Sequence, residues 1–143
     1  MGNKKILIIE DDRDVRLSYH VRFKANNYDT FFASDAIGGV TEARKHQPDL
    51  IILDLGLPGG DGFIVMDRLK THPHLAVIPI IVVSARAGLA NRERAVEAGA
   101  RAFLEKPVDN KELLAVIRQT LGGPADLEIP VLAPGPKHRK VLL

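Results

Sequence analysis

The chain has 143 residues, 45% of them hydrophobic and 27% charged, which allows one globular domain with its own core but not two of ordinary size. It contains no cysteine, which excludes disulfides and thiolate metal sites, and its net charge of +2 gives no reason to expect nucleic-acid binding. The longest apolar run, residues 75–83, contains a proline and is far shorter than the ~20 residues of a membrane-spanning helix, so we expect no membrane insertion.

Five segments are predicted to be β-strands. Three of them, Ile6–Ile9, Leu50–Leu53 and Ile78–Val83, are apolar runs that do not alternate with polar residues. Such runs are typical of strands that are buried on both faces of a parallel sheet. Two weaker candidates are Tyr28–Ala33 and Arg101–Leu104.

Helices are predicted between and after these strands. Apolar residues at helical spacing mark three of them: Ala36, Val40 and Ala43; Phe63, Met66 and Leu69; and Leu113, Leu114, Ile117 and Leu121. Another ends near Gly99, where a glycine commonly terminates a helix. Strands separated by helices need crossover connections, so the pattern predicts a doubly wound α/β fold with a five-stranded parallel sheet and five helices.

The segment after the first strand is ambiguous. Its apolar residues alternate strictly from Val15 to Phe23, which is strand periodicity. As a helix, the same segment places Val15, Tyr19 and Phe23 on one face and begins with acidic residues, which the helix dipole favours. We predict a helix, because a strand here would have to follow the first one with only an acidic turn between them.

The last part of the sequence has a different composition. Residues 122–143 include three glycines and four prolines and show no periodicity. We therefore predict one domain over residues 1–121, followed by a proline- and glycine-rich tail or linker over residues 122–143 without regular structure.

Polar side chains follow four of the predicted strands. Glu10 and Asp11 come after the first, Asp54 after the third, Ser84 after the fourth and Lys106 close after the fifth. The carboxyl ends of parallel strands share one edge of the sheet, where ligands bind. Clustered acids there favour a hard cation such as Mg²⁺, beside which a carboxylate can attack phosphorus. Each residue alone has a structural explanation, as a cap, a turn residue or a solvated group; their joint occurrence indicates chemistry.

Four segments together resemble the receiver domains of two-component signalling proteins, the CheY-like family. They are Ile6–Asp12, Leu53–Phe63, Val82–Ala85 and Phe103–Pro107. The resemblance covers about residues 4–121 and implies a flavodoxin-like sheet with strand order 2-1-3-4-5. It also implies a cytoplasmic, phosphorylation-activated switch rather than an enzyme.

The resemblance further implies a role for each matching residue. The resemblance implies that Asp54 is the phosphoacceptor, and that Mg²⁺ is bound by Asp11, Asp54, the backbone carbonyl of Gly56 and, through water, Glu10. It implies that the hydroxyl of Ser84 moves to the phosphoryl group and that Phe103 is the switch aromatic. It also implies that Lys106, joined to Pro107 by a cis peptide bond, contacts a phosphoryl oxygen. Glu10 replaces the more usual Asp and Ser84 the commoner Thr, and both keep the required functional group.

The implied reaction is self-catalysed phosphoryl transfer to Asp54, followed by hydrolysis. The implied donor is a sensor histidine kinase or a phosphotransfer protein. The implied response is a conformational change at the face formed by the fourth predicted helix, the fifth strand and the fifth predicted helix. A phosphorylation-linked dimer through this face is an open alternative.

Three rival interpretations start from the same residues. Phosphatases of the haloacid-dehalogenase type have an Asp-x-Asp motif at the nucleophile, in which the second Asp is the general acid. Here the residue two positions after Asp54 is Gly56, which argues against such an enzyme. A flavodoxin-type FMN carrier needs a phosphate-binding loop after the first strand, where this chain has acids that would repel phosphate. A degenerate receiver that only binds partners would not need the active groups, all of which this chain keeps.

Overall fold

The structure is a computed structural model, and it describes residues 2–58, 61–86, 88–122 and 141–142. Strands and helices alternate along most of the chain. The strands are β1 Lys5–Ile9, β2 Asp29–Ala33, β3 Leu50–Leu53, β4 Ile80–Ser84, β5 Ala102–Glu105 and β6 Val141–Leu142. The helices are α1 Arg13–Ala25, α2 Ala36–His46, α3 Gly62–Lys70, α4 Pro73–Ala76, α5 Leu89–Glu97 and α6 Asn110–Gly122.

All the strands form one sheet in the order β2-β1-β3-β4-β5-β6. The first five are parallel, which confirms the predicted architecture and strand order. The two residues of β6 pair antiparallel with β5, Val141 opposite Phe103 and Leu142 opposite Ala102. The prediction of a tail without regular structure is therefore wrong at these two residues and at Gly122, the last residue of α6. The rest of the predicted tail, residues 123–140 and 143, lies outside the described residues.

The ambiguous segment after β1 is the helix α1, as predicted. Tyr19 and Phe23, four residues apart, are buried and stack with their ring centroids 5.5 Å apart. Leu17 and Val21, which completed the alternating pattern, are 57% and 60% exposed. The alternation was misleading because two of its apolar residues face solvent.

Apolar side chains cover both faces of the sheet, as the unbroken apolar strands predict. Leu7 and Ile9 of β1 belong to a cluster that includes residues of α2, α3 and α5. Ile6 and Ile8 belong to a second cluster that includes residues of α1 and α6. Each buried aliphatic side chain contributes about 1.5–3 kcal/mol of transfer free energy, so the carboxyl ends of β1 and β3 are held in place from both sides.

Three local features correct or confirm the predicted elements. The described residues form six helices rather than the five predicted, and the additional one is α4, which begins at Pro73 and buries Leu75. Strand β4 begins at Ile80, two residues later than predicted, because Pro79 before it has no N–H to donate. Gly99 adopts a φ of 97° just after α5, as predicted for a helix-terminating glycine.

Among the described residues, no helix combines the length and the apolar character that crossing a bilayer requires.

Candidate functional site

Three acids meet at the carboxyl ends of β1 and β3. Glu10, Asp11 and Asp54 offer carboxylate oxygens that all lie within 4.8 Å of one another. The neighbouring strands impose this proximity, because the amide of Asp54 donates to the carbonyl oxygen of Ile9 over 3.0 Å. Glu10 and Asp54 are buried and Asp11 is exposed. A set of hard oxygen donors, two of them buried, fits Mg²⁺, which takes such ligands together with water.

A lysine from the other side of the sheet faces these acids. The ammonium of Lys106, just after β5, donates to Glu10 Oε1 over 2.5 Å and to Asp54 Oδ2 over 3.0 Å. The peptide bond between Lys106 and Pro107 is cis, as predicted. One ammonium against three carboxylates leaves an excess of negative charge, which a divalent cation would neutralise.

The surroundings shift the pKa values of the three buried or half-buried groups in different ways. Burial raises the pKa of Glu10 to about 7, although Lys106 and the amide of Asp12 oppose the shift. Burial also acts to raise the pKa of Asp54, but hydrogen bonds from the Gly56 amide and Lys106 outweigh it and hold that pKa below its usual value. Burial acts to lower the pKa of Lys106, and its bonds to Glu10 and Asp54 raise it overall. At neutral pH Asp54 is therefore ionised, and only in that form can a carboxylate act as a nucleophile.

The loop after β3 holds Asp54 through its backbone. The amide of Gly56 donates to Asp54 Oδ1 over 3.1 Å. Asp61 caps α3 by accepting from the amide of Phe63 over 3.0 Å. A Cβ atom at Gly62, the first residue of α3, would lie 2.6 Å from the carbonyl oxygen of Asp54, so the helix can begin this close to β3 only with glycine there. The carbonyl of Gly56 as a metal ligand stays a prediction.

The third acid after β1 has a different role from the first two. Asp12 accepts hydrogen bonds from the amides of Asp14 over 2.9 Å and Val15 over 3.2 Å, and thereby caps α1. Arg16, one turn into that helix, donates to the carbonyl oxygen of Glu10 over 2.7 Å. An aspartate at the start of a helix commonly acts as such a cap, but nothing in the local sequence pattern indicates the contact made by Arg16.

Ser84 and Phe103 lie on the neighbouring strands β4 and β5. The hydroxyl of Ser84, which is fully buried, accepts from the amide of Arg86 over 3.0 Å. The ring of Phe103 is also fully buried, and the guanidinium of Arg92 from α5 stands 5.8 Å from its centroid. Arg92 also contacts Glu105 of β5 over 3.4 Å. Both predicted switch residues are therefore in the core beneath α5.

A further residue at the mouth of the site was not predicted. A Cβ atom at Gly56 would lie 3.5 Å from Nε of Arg86, so the exposed arginine covers this glycine. The contact joins the loop after β3 to the loop after β4. The contact between Arg86 and Gly56 depends on the length and conformation of the arginine side chain, so the sequence around Arg86 does not predict it.

The order of the strands reverses between β1 and β3, and three acids and a lysine converge at the carboxyl ends of the strands beside this point. These two features together define a class of doubly wound α/β protein. Residues 6–118 match the family model of the response regulator receiver domain, and the chain belongs to this family. Proteins of this family act in two-component signalling.

Several curated relatives are transcriptional regulators. The chain is 38% identical over 117 residues to the DNA-binding dual master transcriptional regulator RpaA of Synechocystis sp.. The matched region covers 82% of this chain and 48% of RpaA. The chain is 37% identical over 116 residues to the KDP operon transcriptional regulatory protein KdpE of Escherichia coli, covering 81% and 50%. The chain thus spans about half the length of these relatives.

Solved receiver domains share the fold. A CheY-like receiver domain protein from Methanospirillum hungatei is 26% identical with a TM-score of 0.80, covering 85% of this chain and 95% of its own. The receiver domain of the sensor histidine kinase PA1611 from Pseudomonas aeruginosa is 26% identical with a TM-score of 0.77, covering 85% and 99%. That structure contains a magnesium ion coordinated in its active site cleft.

Proposed function

We propose that this chain is a phosphorylation-activated signalling switch that accepts a phosphoryl group on Asp54 in a Mg²⁺-dependent reaction. The observation that carries the proposal is the environment of that carboxylate. The carboxylate of Asp54 is ionised and buried, and it lies close enough to those of Glu10 and Asp11 for the three to bind one metal ion. It also accepts a hydrogen bond from the ammonium of Lys106 over 3.0 Å. Membership of the receiver family supports the same role.

The reaction is a transfer from a phosphohistidine, so we propose a sensor histidine kinase or a phosphotransfer protein as the donor. A carboxylate oxygen of Asp54 attacks the phosphorus, the new O–P bond forms, and the P–N bond breaks with its electron pair remaining on the imidazole, which takes up a proton. When bound, Mg²⁺ supplies positive charge to the phosphoryl oxygens. Lys106 supplies a second positive charge from the opposite side. Attack of water later releases inorganic phosphate and restores Asp54.

The switch follows from what the phosphoryl group would attract. Its oxygens are strong acceptors, so they would draw the hydroxyl of Ser84 away from the amide of Arg86. The space that Ser84 leaves would change the packing of Phe103, and α5 lies directly over that ring through Arg92. We therefore propose that the response appears at the face formed by α5, β5 and α6.

The acceptor can be tested by intact mass after incubation with a small-molecule phosphodonor and Mg²⁺. We expect one added phosphoryl group in the wild type and none in Asp54→Asn, because an amide is not a nucleophile toward phosphorus. Asp61→Asn is the matched control from the same loop, since asparagine caps a helix as well as aspartate does. Labelling of Asp54→Asn at the wild-type level would refute the assignment.

The metal site can be tested with two adjacent acids. We expect Asp11→Ala to abolish Mg²⁺ binding, because it removes one of the three converging carboxylates. Asp12→Ala should bind Mg²⁺ normally and lose about 1 kcal/mol of stability with its helix cap. Both are measured by Mg²⁺ titration and denaturant unfolding. The reverse pattern, with metal binding lost only in Asp12→Ala, would show that Asp11 and Asp12, rather than Glu10 and Asp11, are the metal-binding acids after β1.

A further inference from the structure

The outer side of β5 carries backbone groups that β4 cannot satisfy. The amide of Lys106 donates to the carbonyl oxygen of Ser84 over 3.0 Å, which fixes the side of the strand that faces β4. Backbone N–H groups alternate sides along a strand, so the N–H and C=O of Phe103 point away from β4. An edge strand with such unpaired groups is a template for another extended segment.

That edge is occupied by the chain itself. Val141 lies opposite Phe103 and Leu142 opposite Ala102 in antiparallel register. The sequence places 18 residues, 123–140, between α6 and β6, and a chain of that length can span about 60 Å when extended, so its length allows the pairing. The occupied edge is flanked by α5 on one face of the sheet and α6 on the other, because Ala95 and Ile117 belong to the two separate core clusters.

We propose that the outer edge of β5 is a docking site for an extended segment, that its occupant is this chain's own residues 141–142, and that docking opposes the phosphorylation response. The second part rests on the proposed function and the first does not. Docking fixes the backbone of Phe103 in the arrangement in which the Ser84 hydroxyl is bonded to Arg86. A rearrangement that displaces the backbone of Phe103, and not only its ring, would therefore weaken or release the docked segment.

The docking is weak by construction. Two paired residues offer few hydrogen bonds, while closing the 18-residue connection costs chain entropy. Opening and closing of the edge are therefore close in free energy, and a modest change at Phe103 is enough to shift the balance. A partner that adds a strand at this edge would compete with residues 141–142 for the same groups.

The docking can be tested by amide hydrogen exchange at Phe103 in the full chain without phosphodonor. The test variant carries Val141→Pro with Leu142→Pro, which removes both backbone donors. The matched control carries Val141→Ala with Leu142→Ala, which keeps them. We expect exchange at Phe103 to be about two- to tenfold faster in the proline variant than in the control, the range expected for one net hydrogen bond. Equal protection in both would overturn the docking.

The coupling is tested by titrating the same two variants with beryllofluoride, a phosphoryl analogue, in the presence of Mg²⁺. We expect the proline variant to bind about two- to tenfold more tightly than the alanine control, because coupling cannot exceed the free energy of the pairing. Equal affinities would overturn the coupling and leave the docking judged by exchange alone. Failure of the wild type to bind beryllofluoride would instead overturn the proposed function, and with it the coupling.

Discussion

Two helices of equal length, α3 and α5, are attached to the sheet in different ways. Each has nine residues. Helix α3 buries five of them, including Val65, Met66 and Leu69, whereas α5 buries only Ala95. Helix α3 follows β3 and Asp54, the residue directly after that strand, whereas α5 follows β4, which ends at Ser84. The acid-bearing side of the site is thus built on a firmly packed helix, and the proposed switch side on a loosely packed one.

Long side chains supply much of the attachment of α5. The guanidinium of Arg94 stands 4.0 Å from the ring centroid of Phe63 in α3, and Arg92 stands 5.8 Å from that of Phe103. Partly exposed cation–π contacts are worth about 0.5–1 kcal/mol each, less than the burial of one large aliphatic side chain. Contacts of this kind can be exchanged without unfolding the domain, which suits the movement proposed for this helix.

The largest expected effect comes from making the same substitution in both helices. Val65 in α3 is fully buried and Val96 in α5 is 46% exposed. We expect Val65→Ala to lower the free energy of unfolding by about 2 kcal/mol, and Val96→Ala to change it by less than about 0.5 kcal/mol. The gain in helix propensity is the same in both and cancels. Equal losses in denaturant unfolding would contradict the difference in packing.

A smaller effect concerns the ion pair where the two sides of the site meet. Burial raises the pKa of Glu10 to about 7, so protonation of Glu10 competes with Mg²⁺ below that pH. We expect the Mg²⁺ affinity to rise about tenfold from pH 6 to pH 8, the change set by one proton with this pKa. Titrations of Glu10→Gln should give a weaker and nearly flat profile. A flat wild-type profile would mean that Lys106 keeps Glu10 ionised throughout.

The smallest expected effect is a change in local exchange upon activation. Beryllofluoride should change amide exchange severalfold across residues 85–105, which include α5, and leave α3 unchanged, because only α5 is held by contacts that are easily replaced. Hydrogen exchange with mass spectrometry measures both helices in one experiment. Changes restricted to residues 10–12 and 54–60 would show that the signal does not reach α5.

The sequence predicts the parts of this molecule that depend on local pattern. The strand ends predict that Glu10, Asp54 and Lys106 meet at one edge of the sheet, and the structure brings them together there. This convergence is predictable because a buried apolar strand determines where the next polar residue lies. The four-residue spacing of Tyr19 and Phe23 decides for a helix, since both are buried on one side of α1. These features need only the periodicity of a strand or a helix.

What the sequence could not predict depends on contacts between distant residues. Arg86 over Gly56 and Arg16 on the Glu10 carbonyl need flexible side chains to reach particular neighbours. The pairing of β6 with β5 involves two residues that follow a long proline- and glycine-rich stretch. Two residues are too few to show the alternation that would predict a strand. The short helix at Pro73 is a single turn, too short to show a period.

The close contact at Gly62 bears on how mutational data for this domain should be interpreted. Even a methyl group there would press against the carbonyl oxygen of Asp54 and the Cα atom of Leu55, both of which belong to rigid backbone. In a saturation mutagenesis screen scored by signalling, position 62 should therefore be as intolerant as position 54. Yet Gly62 contributes no side-chain group to the chemistry. Intolerance at this position reflects the space that the backbone of Asp54 and Leu55 needs. A ranking by loss of signal alone would therefore misidentify Gly62 as a reactive residue.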